Sequence, residues 1–129
     1  DPELQSIENE EMPSLVELLS LDKSAFRKKF HGSPILRAKR VGLLRSAAIA
    51  LGNHPLANCD ISAGLHSLCR ALQDDEPVLR GAAAWALGQW RQRIPTKAPQ
   101  IIDALQAQLA DEQDDSAKYE IRSAIGQSK

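Results

Sequence analysis

A tripeptide that ends in glycine recurs three times along this chain and constrains its fold more than any other feature. Ala50-Leu51-Gly52, Ala86-Leu87-Gly88 and Ala124-Ile125-Gly126 are separated by 36 and 38 residues. Each of the two later copies is preceded by an apolar helical pattern and then by an acidic turn. A unit of helix, turn, Ala-rich helix and glycine, repeated at this interval, predicts a stack of αα-hairpins.

The first helix of each later unit can be recognised by its leucine and isoleucine spacing. The matching positions are Leu65, Leu68 and Leu72 in one unit and Ile102, Leu105 and Leu109 in the next. Acidic turns follow at 74–76 and 111–115, and Pro77 stands where the next helix should begin. Each unit therefore contains two helices joined by a short acidic turn.

The Ala-rich runs at 46–50 and 82–86 predict helices that neighbours can approach closely and that are buried on most sides. We expect Gly52, Gly88 and Gly126 to follow the ends of such helices as left-handed C′ residues. Trp85, in the middle of the second run, is expected to anchor the core.

These patterns predict an all-α repeat domain, a right-handed stack of about six to seven helices. Residues 1–12 carry little apolar pattern and are interpreted as an acidic, poorly ordered lead-in from an upstream region. Residues 13–129 form the repeat domain. Its expected helices span about 13–21, 23–31, 34–52, 61–73, 77–90, 99–110 and 116–126.

Composition supports a helical, non-membrane protein. Of the 129 residues 43% are hydrophobic but only 4% are aromatic, which favours a core of Leu, Ile and Ala. No apolar run approaches the roughly 20 residues of a membrane span, and no signal segment opens the chain. Two cysteines are too few for a disulfide scaffold, so we expect a cytoplasmic location.

Acidic and basic residues are segregated along the chain. Residues 1–22 hold seven carboxylates and no Lys or Arg, whereas residues 23–58, the basic segment, hold eight Lys or Arg and no carboxylate. We predict that this segment binds phosphates of a nucleic-acid backbone. The alternative is a solvated face in which one arginine pairs with the acidic turn of the next repeat. The candidate anion-binding residues are Arg27, Lys28, Lys29, Arg37, Lys39, Arg40 and Arg45.

Other candidate sites have weaker signals. His54, Cys59, His66 and Cys69 lack the paired spacing of a zinc site, and residues 111–115 lack the spaced ligands and central glycine of a calcium loop. We therefore predict no metal site and, without a catalytic triad, phosphate loop or poised carboxylate pair, no catalytic residue. Trp90 with Arg91 and Arg93 is interpreted as a surface cover for the repeat, the alternative being a minor contact patch.

Two resemblances to known protein families make the predicted fold and function more specific. Residues 78–88, Val-Leu-Arg-Gly-Ala-Ala-Ala-Trp-Ala-Leu-Gly, resemble HEAT-like repeats of the short phycobilisome-lyase type. Residues 13–53 are similar to the C-terminal region of epoxyqueuosine reductases, although Ser46 stands where that family is expected to have Asn. The motifs that carry this similarity are Leu18-Leu19-Ser20-Leu21-Asp22, Ala25-Phe26-Arg27, Gly32-Ser33-Pro34-Ile35, Arg37-Ala38-Lys39-Arg40 and Gly42-Leu43-Leu44-Arg45-Ser46-Ala47-Ala48-Ile49-Ala50-Leu51-Gly52-Asn53.

The second resemblance implies a tRNA-modifying oxidoreductase that reduces epoxyqueuosine at the wobble position, using a cobalamin and two [4Fe-4S] clusters. The C-x₂-C-x₂-C-x₃-C-P run that holds such clusters is absent here, so no cofactor is expected in this fragment. The expected partners are tRNA, through the basic helices, and the upstream catalytic domain of the same chain. A HEAT-like protein–protein adaptor or lyase-related scaffold is the alternative.

Overall fold

The computed structural model describes residues 11–29 and 36–126, and within those ranges it contains seven α-helices and a short 3₁₀ turn at Pro95–Lys97. The expected all-α repeat fold is confirmed. The predicted Ser33-Pro34 helix start lies outside the described residues. The helices are α1 Met12–Leu19, α2 Lys23–Lys29, α3 Leu36–Asn53, α4 Ile61–Ala71, α5 Pro77–Arg93, α6 Ala98–Asp111 and α7 Asp115–Ile125.

Local capping explains where several helices begin. Asp22 accepts a hydrogen bond from the Ala25 N–H at 2.7 Å and so caps α2. Asp60 and Asp114 cap α4 and α7 in the same way, at 3.0 and 2.9 Å from the backbone N–H groups three residues on. Pro77 occupies the first turn of α5, where its missing N–H leaves no hydrogen bond unmade.

The helices form two layers. In one layer α3, α5 and α7 lie side by side and run parallel, because Gly52 meets Ala86 and Gly88 meets Ala124. In the other layer α4 and α6 pack against the helices that follow them, and α1 packs on both α3 and α4. The core lies between the two layers. Each of α3, α5 and α7 therefore keeps one stripe of residues toward solvent.

The glycine prediction is confirmed at one position and wrong at two. Gly126 ends α7 with φ +96° and is the left-handed C-cap. Gly52 and Gly88 instead lie inside α3 and α5, which continue to Asn53 and Arg93. A Cβ at Gly88 would come within 3.0 Å of the Cα of Ala124. These two glycines therefore bring neighbouring helices into close contact and do not end them.

The two tryptophans have exchanged the roles expected of them. Trp90, interpreted as a surface residue, is fully buried, and its indole Nε1–H donates to the Leu51 carbonyl at 2.8 Å. Gly64 makes room for its ring, since a Cβ there would lie 2.5 Å from it. Trp85, expected in the core, is only half-buried and leans over Gly52. Tertiary packing places Trp90, not Trp85, at the centre.

None of the helices in the described ranges is long and apolar enough to cross a membrane.

Candidate functional site

The basic segment lies on α2 and on α3. Lys28 and Arg45 are exposed, and Lys39 is half-buried. The side chains of Arg27, Lys29 and Arg37 lie outside the described residues. The exposed cations at Lys28 and Arg45 make these two helices the candidate anion-binding face.

Arg40 does not belong to that face, and its place among the anion-binding candidates is a correction that the structure requires. Its residue surface is only 5% exposed. The guanidinium bonds both carboxylate oxygens of Asp74, at 2.5 and 3.4 Å, and its Nε–H donates to the Leu21 carbonyl at 3.1 Å. Because this charge is buried and already neutralised, Arg40 joins the first repeat to the second and cannot bind an external phosphate.

The next repeat copies this arrangement with Arg80 and Glu112. The guanidinium of Arg80 binds both oxygens of Glu112 at 2.7 Å and also donates to the backbone carbonyls of Asp74 and Asp75. In both acidic turns the carboxylate also accepts the N–H two residues on, at 3.0 Å. The acidic turns predicted from the sequence therefore bind arginine side chains of the neighbouring helices.

The hydrogen bonds between Arg80 and Glu112 shift the pKa values of both groups. The bond to Arg80 lowers the pKa of Glu112 to about 2 against the opposing effect of burial, with further help from the Asp114 N–H and the Gln108 amide. The same bond raises the pKa of Arg80. Both groups are therefore charged across the physiological pH range, and the pair is a structural clamp, not a proton-transfer site.

Arg91, which is half-buried, and Arg93, which is exposed, both donate hydrogen bonds to backbone carbonyls of neighbouring helices. Arg91 donates from Nε to the Ala124 carbonyl at 2.8 Å, where it satisfies the end of α7. Arg93 donates to the carbonyls of Gly52, at 3.1 Å, and His54 at the end of α3. Both arginines cap the C-termini of neighbouring helices and tie them to α5.

A groove runs along the exposed stripe of α5, between α3 and α7, with a volume of about 480 Å³. Gly81, Ala82 and Ala117 are the small residues that line it. Arg45 and Ile49 line it from α3, and Asp114, Ser116 and Glu120 line it from α7 and the turn before it. Pro77, Val78 and Trp85 of α5 complete the lining.

Charges stand on both sides of this groove. Arg45 on α3 and Glu120 on α7 make no hydrogen bond or ion pair with any residue in the described ranges. Val78, a large apolar residue that also lines the groove, is 51% exposed. The groove therefore combines a free cation, a free carboxylate and an uncovered apolar surface, a combination that no single sequence segment revealed.

The residues considered for a zinc site do not form one cluster. His54 and Cys59 lie together in the loop after α3, with Nδ1 and Sγ 3.8 Å apart. Burial raises the pKa of the Cys69 thiol, so it remains protonated at neutral pH. Within residues 11–29 and 36–126, no group of three or more His, Cys, Asp or Glu side chains could hold a metal ion.

Known proteins place this architecture in a wider context. The chain is 31% identical over 127 residues to the epoxyqueuosine reductase of Bacillus subtilis, covering 96% of this chain and 30% of that protein. The epoxyqueuosine reductase of Xanthomonas campestris is 32% identical over 89 residues, which cover 69% of this chain and 24% of that protein. The chain thus spans less than a third of the length of these relatives.

The fold is shared as well. A crystal structure of a selenomethionine-labelled epoxyqueuosine reductase superposes with a TM-score of 0.62 at 32% identity, covering 87% of this chain and 27% of that one. The resemblance seen in the sequence is confirmed by these matches. The family model for HEAT repeats matches residues 34–126, which include α3 to α7. The chain therefore belongs to the HEAT repeat family.

Proposed function

We propose that this chain is an accessory domain of a tRNA-modifying enzyme of the epoxyqueuosine reductase type and that it holds the tRNA backbone. The observation that carries the proposal is a basic segment of eight Lys or Arg without a carboxylate, in a chain similar to part of that enzyme over nearly its whole length. A domain of this kind positions the substrate and leaves the reaction to the rest of the enzyme.

The tRNA contact rests on exposed charge. Lys28 on α2 and Arg45 on α3 are exposed to solvent. Lys39, which is half-buried, lies between them in the sequence, on α3. Each phosphate that such a cation neutralises releases condensed counterions, which favours binding at low salt. Arg40 is excluded from the contact because Asp74 already holds its charge.

The cofactors implied by the resemblance do not fit this chain. A [4Fe-4S] cluster is held by four cysteine thiolates, whereas the chain contains Cys59 and Cys69 alone. In this proposal the clusters and the cobalamin belong to the remainder of the enzyme. No chemical step is assigned to the residues of this domain.

Fluorescence anisotropy with a labelled, unmodified tRNA transcript tests the contact. The chain should bind tRNA weakly, and the logarithm of the association constant should fall by about 0.7–0.9 per neutralised phosphate as the logarithm of the salt concentration rises. Lys28→Glu and Arg45→Glu should each weaken binding and flatten this slope. Arg122→Glu makes the same charge change at an exposed site on α7, outside the basic segment, and should leave affinity nearly unchanged.

Equal losses in all three variants would show a general effect of net charge and contradict a specific basic face. Unchanged binding after Lys28→Glu and Arg45→Glu would remove the tRNA contact from the proposal. The accessory-domain part has its own test in the gene that encodes this segment. A cysteine run for clusters elsewhere in the same reading frame supports it, whereas a long array of further HEAT repeats contradicts it.

A further inference from the structure

The groove along α5 differs in character from the basic segment. Its ionisable lining residues are Arg45 on one side and Asp114 and Glu120 on the other, so carboxylates outnumber cations. Asp114 caps α7 through its side chain, whereas Glu120 has no partner in the described ranges. A phosphate chain lying along this groove would meet two negative charges, which favours a ligand of the opposite sign.

We infer that this groove binds a partner polypeptide by taking up a lysine or arginine side chain and an apolar side chain next to it. The inference can be tested separately from the proposed tRNA contact, because its cation-binding residues, Trp85 and Glu120, lie on α5 and α7, although Arg45 belongs to both surfaces.

In this inference the cation subsite comprises Glu120 and Trp85, which both line the groove. Glu120 lies over Gly81, where a Cβ would stand 3.5 Å from the Glu120 Cγ. Trp85 is four residues further along α5, about one helical turn or roughly 6 Å along the axis. An ammonium or guanidinium group between them could pair with the carboxylate and lie against the indole face. A tryptophan ring is the aromatic partner that cations favour most.

The apolar subsite lies at the other end of the groove. Val78 is 51% exposed there, with Pro77 before it in the lining of the groove. An apolar side chain packed on Val78 would remove this surface from water, at about 25 cal/mol for each Å² buried. Arg45, without a partner in the described ranges, stands on the α3 wall and could pair with an acidic residue of the ligand.

The groove volume of about 480 Å³ lies within the usual range of small-ligand pockets, roughly 300–1,000 Å³. It therefore suits one or two side chains of a partner and not a folded element buried whole. Affinity from such a small contact should be modest, with a Kd of about 0.1–1 mM for an isolated peptide.

Tryptophan fluorescence provides a direct measurement. The chain has two tryptophans, and Trp90 is fully buried and hydrogen-bonded, so a ligand in the groove should change the emission of Trp85 alone. The probes are a blocked Ala-based helical peptide with a Lys and a Leu four residues apart, a matched peptide with Glu in place of Lys, and a short oligouridylate. The Lys peptide should change the emission saturably, and the other two probes should not.

Glu120→Gln should weaken binding of the Lys peptide about fivefold or more, and Glu120→Lys should abolish it. Trp85→Phe should remove the fluorescence response. Asp103→Asn makes the same change as Glu120→Gln at an exposed carboxylate on α6, away from the groove, and should bind like the parent chain. Thermal unfolding of each variant confirms that the fold is retained.

Three results would overturn the inference: no response to the Lys peptide, equal binding of the Glu peptide, or preferential binding of the oligouridylate. The last would assign the groove to RNA instead. Affinity for tRNA, measured in the Glu120 and Trp85 variants, separates the two proposals. If only the groove inference fails, tRNA binding still depends on Lys28 and Arg45; if only the tRNA proposal fails, the peptide response still depends on Glu120.

Discussion

Arg40 on α3 and Asp74 in the turn before α5 form a two-point ion pair, with Nη2–Oδ1 and Nη1–Oδ2 distances of 2.5 and 3.4 Å. The pair connects the first repeat to the second, and Arg80 with Glu112 connects the second to the third. In a stack where each repeat contacts only its neighbours, such pairs help to fix how successive repeats are oriented. Arg40 is buried and Arg80 is half-buried, and the ion pair that each makes gives both a structural role.

Alanine substitution of Arg40 and of Arg45 should affect the free energy of unfolding very differently, because Arg40 is buried and Arg45 is exposed. Arg40→Ala removes the guanidinium that neutralises the half-buried Asp74 carboxylate and donates to the Leu21 carbonyl, and should lower the free energy of unfolding by about 3 kcal/mol. Arg45→Ala removes an exposed cation from the same helix and should change it by less than about 0.5 kcal/mol. Urea denaturation followed by circular dichroism measures both. Similar losses in the two variants would contradict the assignment of Arg40 to the interior.

The Glu112 carboxylate should make stability depend on pH. Its pKa is near 2 in the folded chain and near 4.5 in the unfolded chain, so the unfolded state binds the proton first as pH falls. The stabilisation is complete above about pH 4.5 and is lost as the pH falls toward 2, a contribution of up to about 3 kcal/mol.

Urea midpoints between pH 2 and pH 7 measure this dependence. Glu112→Gln cannot titrate, so its stability should be lower at pH 7 but should fall less between pH 4.5 and 2. Asp111→Asn, one residue away at an exposed carboxylate, is the matched control and should retain the parental pH profile. An identical pH profile in Glu112→Gln would contradict the expected role of this clamp.

Two glycines of α3 should respond in opposite directions to the same substitution. Gly42→Ala adds a methyl group at a position where, apart from the adjoining backbone of its own helix, no heavy atom lies within 4 Å, and it should stabilise the helix by about 0.5–1 kcal/mol. Gly52→Ala places its Cβ 2.5 Å from the Trp85 ring and 3.0 Å from the Ala86 Cα, and should destabilise the fold by about 1–3 kcal/mol. Thermal unfolding compares them directly, and a stabilising Gly52→Ala would refute the close α3–α5 contact.

Acrylamide quenching should separate the two tryptophans. Trp85→Phe leaves only the buried Trp90, whose emission should be blue-shifted and little quenched. Trp90→Phe leaves the half-buried Trp85, whose emission should be red-shifted and more strongly quenched. It should also lose stability, because it gives up the hydrogen bond to the Leu51 carbonyl and leaves space in the core. The opposite order of quenching would contradict the packing of both residues.

Local sequence patterns were sufficient to predict the helices themselves. The leucine spacing, the Asp22 cap and the proline before Val78 depend on neighbours within one or two helical turns, and these neighbours are visible in the sequence. The sequence also predicts acidic turns between the helices of each repeat and the pairing of one arginine with such a turn. It could not say which arginine, because the pairing partner is 34 residues away.

The candidate groove depended on information that no local pattern contains. Arg45, Val78 and Glu120 come from three different repeats, and they meet only because α3, α5 and α7 run parallel and in close contact. The composition of each helix gave no indication that an apolar residue would remain uncovered between two charges.

The triple recurrence of a glycine-ended Ala-rich helix by itself determined that this chain is a helical repeat domain, because periodic burial requires periodic sequence. Tertiary structure decided what each glycine does: only Gly126 ends its helix, whereas Gly52 and Gly88 let helices approach. It also decided that Trp90 and Arg40 face inward while Trp85 and Arg45 remain accessible. The physical reason is that burial depends on which surfaces of different repeats meet, and helical periodicity within one repeat does not specify that.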